Sequence, residues 1–489
     1  MQVPTAVVVL AAGAGTRMKS ATPKVLHTLG GRSMLGHVLA AAAGLRPTYT
    51  VVVVGHGGEQ VTRHLAQLAP SALIAVQEQR NGSGHAAAVA LDAFADRDGF
   101  VVILNGDALL LTAGTVQALV DDHVGTGAAL TVLSARVPDA TGLGRILRAP
   151  DGSVLGIVEH ADADVAQRAL DEVNAGVYVV DLALLGGALR KLSTDNSKGE
   201  QYLTDVVGML VADGLVVGAH AAADWQDTLG CNDQVELAAR RRTLNDRVLD
   251  RWMRAGVTVV DPASTWVDVD AELAPDVTLH PGCQLLGATT VAGGAVIGPD
   301  STLTDTEVGA GARVVRTHAE LAVVGADVSV GPFAYLRPGT WLDRGSKVGT
   351  FVETKNARLG VGSKVPHLSY VGDATIGEGT NIGAATVFVN YDGMHKHHTT
   401  IGDHARTGAD NMFVAPVSVG DGAYTAAGSV ITDDVPPGAM GVARARQRNV
   451  LDWVRRRRPG SAAADAAARA QQHSGADHSG DSEGMGSGG

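Results

Sequence analysis

The sequence contains only two cysteines, Cys231 and Cys283, among its 489 residues. Two cysteines cannot provide the disulfide framework of a small secreted protein, and the N-terminus lacks the basic residues that begin a signal peptide. No stretch approaches the roughly 20 apolar residues that a membrane-spanning helix needs. These absences predict a reduced, cytoplasmic protein with no membrane partner.

An excess of basic residues is also missing. The chain carries 39 Lys and Arg against 51 Asp and Glu, which gives a formal net charge of -12. Because nucleic-acid binding requires a concentrated basic face, this balance argues against a general nucleic-acid partner, although a local anion site is compatible with it. Aromatic residues make up only 4% of the chain, whereas its 62 glycines indicate many turns. The length suggests roughly two to four domains.

A six-residue repeat dominates the second half of the chain. Helices repeat their apolar positions every three or four residues and half-buried strands every two, so this period indicates short strands, turns and one inward side chain per unit. Glycine follows several of the aliphatic positions, as in Val330-Gly331 and Val348-Gly349, and predicts corners with positive φ. The aliphatic positions are Val324, Val330, Leu336, Leu342, Val348, Leu359, Val365, Val371, Ile376, Ile382, Ile401 and Val419.

The first half alternates short aliphatic runs with alanine-rich segments. This alternation predicts βαβ units and a mostly parallel, Rossmann-like sheet, with ligands bound beyond the carboxyl ends of its strands. The runs are residues 7–10, 51–54, 73–76 and 101–104, and the alanine-rich segments include 34–43 and 85–94.

Three loops at these strand ends carry candidate site residues. Taken singly, each is no more than a tight turn or a helix cap. The first is not a dinucleotide fingerprint, because Met18 takes the place of the third glycine, yet exposed backbone amides with Arg17 and Lys24 would suit a triphosphate. The loops are Leu10-Ala11-Ala12-Gly13-Ala14-Gly15-Thr16-Arg17 with Pro23-Lys24, Gln77 with Gly82-Ser83-Gly84-His85, and Asn105-Gly106-Asp107.

Together these loops resemble the signatures of sugar-phosphate nucleotidyltransferases. The resemblance implies that Gln77 hydrogen-bonds a pyrimidine edge, and three later segments match the family's sugar-binding loops in order. In those segments Gly144 would offer its backbone, Glu159 would accept hydrogen bonds from sugar hydroxyls and Asn174 would read an N-acetyl group. The implied contacts with UTP and the UDP-sugar are Leu10, Ala11, Ala12, Gly13, Arg17, Lys24, Gln77, Gly82, Ser83, Gly144, Glu159, Asn174 and Asn232.

The same resemblance implies a Mg²⁺ ion held by Asp107 and Asn232. A carboxylate and an amide carbonyl suit this hard cation, which keeps several waters and is shared with substrate phosphates. Leu109 stands where Pro is usual, and Asp233 where a second Asn is common. These departures concern the shape of the neighbouring loops, not the pair of ligands.

The six-residue repeats resemble the left-handed parallel β-helix of hexapeptide-repeat acyltransferases, whose flat walls meet in trimers. The resemblance implies that His367 removes a proton from an amine, a task that suits imidazole. Ala409 replaces the usual Ser, which removes one hydroxyl contact with the coenzyme. The implied sugar-phosphate contacts are Arg337, Lys355, Tyr370 and Asn381, and the implied acetyl-CoA contacts are Ala384, Asn390, Tyr391, Ala409, Ala427 and Arg444.

Nearly the whole chain apart from its tail resembles the bacterial bifunctional uridyltransferase/acetyltransferases, in their actinobacterial form. The resemblance implies N-acetylation of glucosamine 1-phosphate by acetyl-CoA, then Mg²⁺-dependent transfer of a uridylyl group from UTP. The product would be UDP-N-acetylglucosamine for cell-wall peptidoglycan, made by a homotrimer. The expected domains are an α/β nucleotidyltransferase (1–233), a linker helix (234–260), an all-β β-helix (261–445) and a C-terminal helix with a disordered tail (446–489).

Three alternatives stay open. The chain could be a nucleotidyltransferase of other specificity whose β-helix only trimerises, or a noncatalytic scaffold. It could also be an acyltransferase with an inactive first half, which the presence of Lys24, Asp107 and Asn232 makes less attractive. Two basic runs, 240–242 and 455–458, are interpreted as a solvated helix face and as charges that neutralise a terminal helix or grip phosphates. The histidines of 395–398 are not expected to form a zinc site, because no Cys accompanies them.

Overall fold

A mostly parallel sheet and a long β-helix make up the part of the chain that the computed structural model describes, residues 2–55 and 58–476. The first half contains eleven strands and seven α-helices among these residues. Its strands are β1 (Ala6–Ala11), β2 (Thr28–Leu29), β3 (Arg32–Ser33), β4 (Tyr49–Gly55), β5 (Leu73–Gln77), β6 (Phe100–Asn105), β7 (Leu130–Arg136), β8 (Arg145–Arg148), β9 (Val154–Val158), β10 (Glu172–Asp181) and β11 (Val217–Ala221). Its helices are α1 (Met34–Gly44), α2 (Glu59–Leu68), α3 (Ser83–Leu91), α4 (Ala113–Thr126), α5 (Val165–Arg168), α6 (Leu182–Leu189) and α7 (Asp205–Ala212).

The main sheet has the order β11-β7-β10-β6-β1-β4-β5, with the β8–β9 hairpin attached to β10. The pairs β1–β4, β1–β6, β4–β5 and β11–β7 are parallel, and β10 is antiparallel to both of its neighbours in the main order. The four aliphatic runs are β1, β4, β5 and β6, so the prediction of a mostly parallel sheet is confirmed.

Helices cover both faces of this sheet, which explains why its central strands are apolar on both sides. In β1, Val8 packs with residues of α3, α6 and α7, whereas Val7 and Val9 pack with residues of α1, α2 and α4. All three valines are buried. The carboxyl ends of the strands are left free to carry the loops of a site.

Helix α8 (Gln234–Arg254) joins the sheet to the β-helix. Its basic run is not the solvated face expected from the sequence. Arg240 donates to the carbonyl of Gly230, and Arg241 donates to the carbonyl of Thr28. The guanidinium of Arg242 lies 4.3 Å from the centre of the Trp266 ring, on the first wall of the β-helix. These three arginines therefore attach α8 to both halves of the molecule.

The second half is a parallel β-helix, consistent with the left-handed form that the resemblance implies. Its coils place aliphatic residues directly above one another, as in Val267, Leu285 and Leu303 on one wall. All three are buried in one continuous core. The strands are β12–β37, in order Thr258–Val259, Trp266–Val267, Glu272–Leu273, Thr278–Leu279, Gln284–Leu286, Thr290–Val291, Val296–Ile297, Thr302–Thr304, Glu307–Val308, Arg313–Val314, Thr317–Glu320, Val323–Val324, Ser329–Val330, Ala334–Leu336, Trp341–Leu342, Lys347–Thr350, Glu353–Leu359, Lys364–His367, Tyr370–Ile376, Val387–Val389, Thr399–Ile401, Met412–Val414, Val417–Val419, Tyr424–Thr425, Val430–Ile431 and Met440–Gly441.

The glycines that follow the aliphatic positions serve a different purpose from the one predicted. Gly331 has a φ of 96°, but Gly349, Gly360 and Gly377 do not adopt positive φ. A Cβ added to Gly360 would lie 2.8 Å from the nitrogen of Glu378 in the next coil. Close stacking of consecutive coils, rather than backbone conformation, excludes a side chain at these corners.

The C-terminal segment contains two helices, α9 (Trp453–Arg457) and α10 (Ala462–Ala476). Residues 462–476 were expected to belong to a disordered tail, so that part of the prediction is wrong, and the remainder, 477–489, lies outside the described residues. Cys231 and Cys283 are free and buried. Among the described residues, no helix has both the length and the apolar character required to cross a membrane.

Candidate active sites

Lys24, Asp107 and Asn232 meet at the carboxyl ends of β1 and β6. The ammonium of Lys24 forms an ion pair with the carboxylate of Asp107 and donates to Asn232 Oδ1 at 3.0 Å. Arg17 donates to the same amide oxygen at 2.8 Å. The side chains of Lys24 and Asp107 are only 14% and 21% exposed, so the pair is partly shielded from water. Four sequence-predicted residues thus form one charged centre.

The register of the sheet explains this convergence. Leu10 at the end of β1 pairs with Asn105 at the end of β6, and the amide of Gly106 donates to the carbonyl of Leu10 at 2.9 Å. Asp107 is therefore held beside the loop that follows β1. Within that loop Gly15 has a φ of 59°, and a Cβ at Gly15 would overlap the side chain of Lys24. Gly15 thus permits Lys24 to approach the strand end.

Asn232 is fixed by the start of α8. Its backbone amide donates to Glu236 Oε2 at 2.7 Å, and its side-chain amide donates to the same oxygen at 3.3 Å. Asp233 caps the helix by accepting from the amides of Val235 and Glu236. The unusual residue at 233 is therefore a helix N-cap, a role for which Asp is well suited. Leu109, the other departure, is buried and packs in the same cluster as Cys231.

The donor set of this centre fits a divalent cation. One carboxylate and one amide oxygen are ligands that Mg²⁺ accepts, since it completes its shell with water and substrate oxygens. Both oxygens contact Lys24 in this structure, so an ion bound between them would have to displace the ammonium.

A cleft of about 570 Å³ opens beside the charged centre. It is lined by Arg17, Asp107 and Asn232, and also by the predicted sugar-contacting residues Gly144, Glu159 and Asn174. The amide of Asn174 donates to the carbonyl of Gly144 at 2.9 Å, which joins two of the three loops. The structure therefore brings the phosphate and sugar sets together around one cavity.

Two polar side chains of this cleft, Glu159 and Asn174, are oriented by hydrogen bonds within the protein. Burial raises the pKa of Glu159, although a hydrogen bond from Thr204, 3.2 Å from Oε1, opposes the shift. Asn174 donates to the hydroxyl of Tyr178 at 2.7 Å and accepts from the amide of Gly176 at 2.9 Å. Burial also raises the pKa of Tyr178, which keeps its phenol protonated. The cleft thus presents a desolvated carboxyl group and an oriented amide.

The loop that was expected to read the base lies at the end of β5, which β1 and β4 separate from β6. The amide nitrogen of Gln77 contacts the Gly82 carbonyl and the His85 ring, both at 3.0 Å. The hydroxyl of Ser83 accepts from the amide of Leu203 at 3.0 Å. In this structure these side chains stabilise their own loop, and recognition of a base by Gln77 stays a prediction.

Residues predicted for acetyl transfer stack along one edge of the β-helix. The carbonyl of His367 accepts from the amide of Ala385, which follows Ala384 in the next coil. Ala384 and Ala409 likewise accept from the amides of Asp410 and Gly428, at 2.7 and 2.9 Å. His367, Ala384, Ala409 and Ala427 therefore occupy corresponding corners of successive coils, and the His367 side chain is exposed. Asn381 lies on the wall that precedes this edge, in register with Lys364.

Three of the four predicted sugar-phosphate contacts lie on the wall that follows the edge, namely Arg337, Lys355 and Tyr370. Arg337 forms an ion pair of 2.7 Å with Glu353, which is in register with Tyr370. The hydroxyl of Tyr370 accepts from the side-chain amide of Asn390 at 3.3 Å. Tyr391 is exposed beside Asn390, and Arg444 is exposed just after the last strand.

Sequence reasoning missed Asp373 on this wall and Lys396 in a neighbouring loop. Asp373 is buried and accepts hydrogen bonds from Asn356 and Asn390. Burial alone would raise the pKa of Asp373, but these two bonds and the nearby Lys355 and Lys396 lower it overall. The signal was present, because Asn356, Asp373 and Asn390 recur at the spacing of one coil.

Lys396 belongs to a loop that interrupts the repeat after Asn390. A hydrogen bond from Lys355, which only the neutral amine of Lys396 can accept, and charge repulsion between the two ammonium groups lower the pKa of Lys396. In the same loop His397 pairs with Asp392 at 2.7 Å, whereas His398 contacts the Thr375 hydroxyl at 3.0 Å. The histidines are therefore directed at separate partners.

The sheet, the charged centre and the adjoining cleft define a nucleotidyltransferase, here fused to a β-helix. Residues 6–268 match the nucleotidyl transferase family. The chain is 62% identical over 466 residues to the bifunctional protein GlmU of Streptomyces avermitilis and equally to that of Streptomyces coelicolor, covering 95% of this chain and 97% of each relative. It is 54% identical over 471 residues to the bifunctional protein GlmU of Corynebacterium glutamicum, covering 96% and 97%. The chain belongs to the bifunctional GlmU family.

Proposed function

We propose that this protein makes UDP-N-acetylglucosamine in two steps. The β-helix transfers an acetyl group from acetyl-CoA to glucosamine 1-phosphate, and the N-terminal half couples the product to UTP with release of pyrophosphate. The observation that carries the proposal is the convergence of Arg17, Lys24, Asp107 and Asn232 beside a cleft lined by sugar-type contacts. Membership of the bifunctional GlmU family, over nearly the full length of the chain, supports both activities.

In the second step, a phosphate oxygen of N-acetylglucosamine 1-phosphate attacks the α-phosphorus of UTP. A new P–O bond forms, the bond between the α- and β-phosphates breaks, and pyrophosphate leaves with its electron pair. Arg17 and Lys24 would offset the negative charge that gathers on the leaving group, which is the main task of a protein in phosphoryl transfer. Asp107 and Asn232 would hold Mg²⁺, which would supply further charge neutralisation when bound.

In the first step, the amine of glucosamine 1-phosphate attacks the thioester carbonyl of acetyl-CoA. His367 accepts the amine proton as the C–N bond forms and returns it to the sulfur as the C–S bond breaks, so that the coenzyme leaves as a thiol. Lys355 and Lys396 crowd two positive charges together, which favours a bound phosphate dianion between them. Asp373, with one negative charge, limits their mutual repulsion when the substrate is absent.

We also propose a homotrimer, with the edge beside His367 at its interface. Phe333 and Phe351 stack at 5.4 Å between ring centres in consecutive coils, and Leu368 continues the column. These three side chains are 50%, 58% and 59% exposed, so a second copy of the chain would bury them and close the acetyl-transfer site. Phe351→Asp should give monomers in light scattering and lose acetyl transfer while keeping uridylyl transfer.

The two proposed activities are assigned to the segments that the sequence predicted. We assign uridylyl transfer to 1–233, the linker to 234–260 and acetyl transfer to 261–445, with 446–489 as a C-terminal extension. The structure starts the β-helix slightly earlier than the sequence suggested, at β12 within the linker segment. We propose that both reactions take place in the reducing cytoplasm, where Cys231 and Cys283 stay as thiols.

The test supplies glucosamine 1-phosphate, acetyl-CoA, UTP and Mg²⁺ together and follows free thiol and pyrophosphate in parallel. Both products should appear, and pyrophosphate should lag behind thiol because the second step consumes the product of the first. Replacing the substrate by N-acetylglucosamine 1-phosphate should give pyrophosphate without thiol. Pyrophosphate without thiol under the first conditions would instead favour the alternative of a nucleotidyltransferase with a purely structural β-helix.

A further inference from the structure

One buried cation plays no part in the chemistry described so far. Arg145 begins β8, directly after the Gly142-Leu143-Gly144 loop, and is only 2% exposed. A buried guanidinium is retained only when its hydrogen-bonding groups are satisfied, because removing the charge from water is costly.

The hydrogen bonds of Arg145 all run to backbone carbonyls. Nε donates to Leu170 at 2.9 Å, Nη2 donates to Arg168 at 3.2 Å, and Nη1 donates to Leu143. Leu143 belongs to the loop that carries Gly144. Arg168 and Leu170 belong to the segment that runs from Glu159 to Asn174 and contains α5. One planar group therefore fastens two separate pieces of the cleft wall.

The three predicted sugar contacts all depend on these two pieces. Gly144 immediately precedes Arg145, and its carbonyl accepts from the amide of Asn174. Arg145 is also in register with Val173, the residue before Asn174. Glu159 lies at the other end of the fastened segment, just after β9, the partner of β8 in the hairpin. The guanidinium of Arg145 thus sets the spacing between Gly144, Glu159 and Asn174.

We infer that Arg145 is a positioning residue for the sugar half of the uridylyl-transfer site, which it serves by locking the Leu143 loop to the Arg168–Leu170 segment. This inference rests on the proposed function of the cleft. Arg145 lies behind the wall and touches no substrate. Lysine cannot replace it, since a single ammonium cannot donate to three carbonyls in the plane of a guanidinium.

The test compares Arg145→Lys with Arg136→Lys, which removes an exposed guanidinium paired with Asp171. Pyrophosphate release is measured against N-acetylglucosamine 1-phosphate at saturating UTP, and then against UTP at saturating sugar. For Arg145→Lys the KM for the sugar should rise about tenfold or more, while the KM for UTP changes less than about twofold, because buried hydrogen bonds are lost on one side of the cleft only. Arg136→Lys should match the wild type in both.

Circular dichroism and the melting temperature report whether each variant has folded, and thiol release checks the β-helix alone. An unchanged sugar KM, or an equal rise in both KM values, would overturn the inference. If Arg145→Lys fails to fold, hydrogen exchange of the wild type decides: N-acetylglucosamine 1-phosphate should slow exchange in 142–146 and 164–172 together, and protection of only one segment refutes the link. If the wild-type protein releases no pyrophosphate, the proposed function itself is refuted.

Discussion

Asp107→Asn tests the charged centre most directly. The substitution keeps the size of the side chain and one oxygen, but removes the negative charge that faces Lys24 and would contact a metal ion. Asn232 and Arg17 keep their own hydrogen bond, so the change is confined to one charge at the end of β6.

The expected magnitude follows from how shielded that charge is. Lys24 and Asp107 are 14% and 21% exposed, so their interaction is stronger than that of a surface pair. Losing a preorganised charged group at a phosphoryl-transfer site should slow uridylyl transfer by about 10³-fold, equivalent to about 4 kcal/mol in the barrier. Leaving Lys24 without its carboxylate should lower the stability of the N-terminal half by about 1–2 kcal/mol.

The assay measures both reactions on one sample. Pyrophosphate release from N-acetylglucosamine 1-phosphate and UTP should fall, while thiol release from acetyl-CoA should stay within about twofold of the wild type, since Asp107 lies outside the β-helix. Asp250→Asn is the matched control, because it removes the carboxylate of an exposed ion pair with Arg254 on α8. A uridylyl-transfer rate within tenfold of the wild type, or an equal loss of both activities, would refute the assignment.

Three further substitutions probe the other groups. His367→Ala should reduce thiol release by about 10²-fold or more and leave pyrophosphate release from supplied N-acetylglucosamine 1-phosphate unchanged. Glu159→Gln should raise the KM for the sugar. It should also raise the melting temperature at pH 7.5, because burial raises the pKa of Glu159, and the stability that its protonated form contributes is lost as the pH rises through that pKa. The gain should shrink as the pH falls. Asp373→Asn should raise the KM for glucosamine 1-phosphate and lower the melting temperature at pH 7.5. Burial opposes ionisation of Asp373, but hydrogen bonds from Asn356 and Asn390 help to lower its pKa overall. The stability that the Asp373 carboxylate contributes disappears as the pH falls through that lowered pKa.

Two controls separate these effects from general damage. His318→Ala removes another exposed histidine of the β-helix, and Asp343→Asn breaks an ion pair with Arg358. Both variants should keep wild-type values of kcat and KM. Equal losses in a control and in its test variant would mean that the β-helix tolerates no such change, and would contradict the specific roles of His367 and Asp373. For Glu159→Gln, an unchanged melting temperature across the pH range would contradict the effect of burial.

The sequence was most informative where local pattern and fold coincide. The four aliphatic runs became β1, β4, β5 and β6 because a strand covered on both faces must be apolar throughout. The rule that ligands bind at the carboxyl ends of parallel strands then placed the loop after β1 and the loop after β6 at one site. The six-residue period identified the β-helix because each coil buries the same positions against the next one.

Contacts made across the chain were harder to predict. The role of Arg145 depends on backbone carbonyls of Leu143, Arg168 and Leu170. Every residue type has such a carbonyl, so the sequence does not show which ones accept from Arg145. The glycines at the coil corners were predicted for the wrong reason, since positive φ is a local property, whereas the close approach of Glu378 to Gly360 comes from the next coil. Asp373 was missed because its partners, Asn356 and Asn390, lie one coil away on either side and are not its neighbours in the sequence.

Helix α8 is not a flexible linker, because it is hydrogen-bonded to both halves of the molecule. At its start, Glu236 fixes Asn232 in the charged centre, and Arg240 reaches back to the carbonyl of Gly230. Further along the helix Asn245, which is buried, donates to the carbonyl of Thr265 at 2.8 Å and accepts from the amide of Val267 at 3.0 Å in the first coil. Helix α8 is thus bonded to the charged centre at its start and to the first coil of the β-helix near its middle. We therefore expect the first coil of the β-helix to help to hold Asn232 in the charged centre.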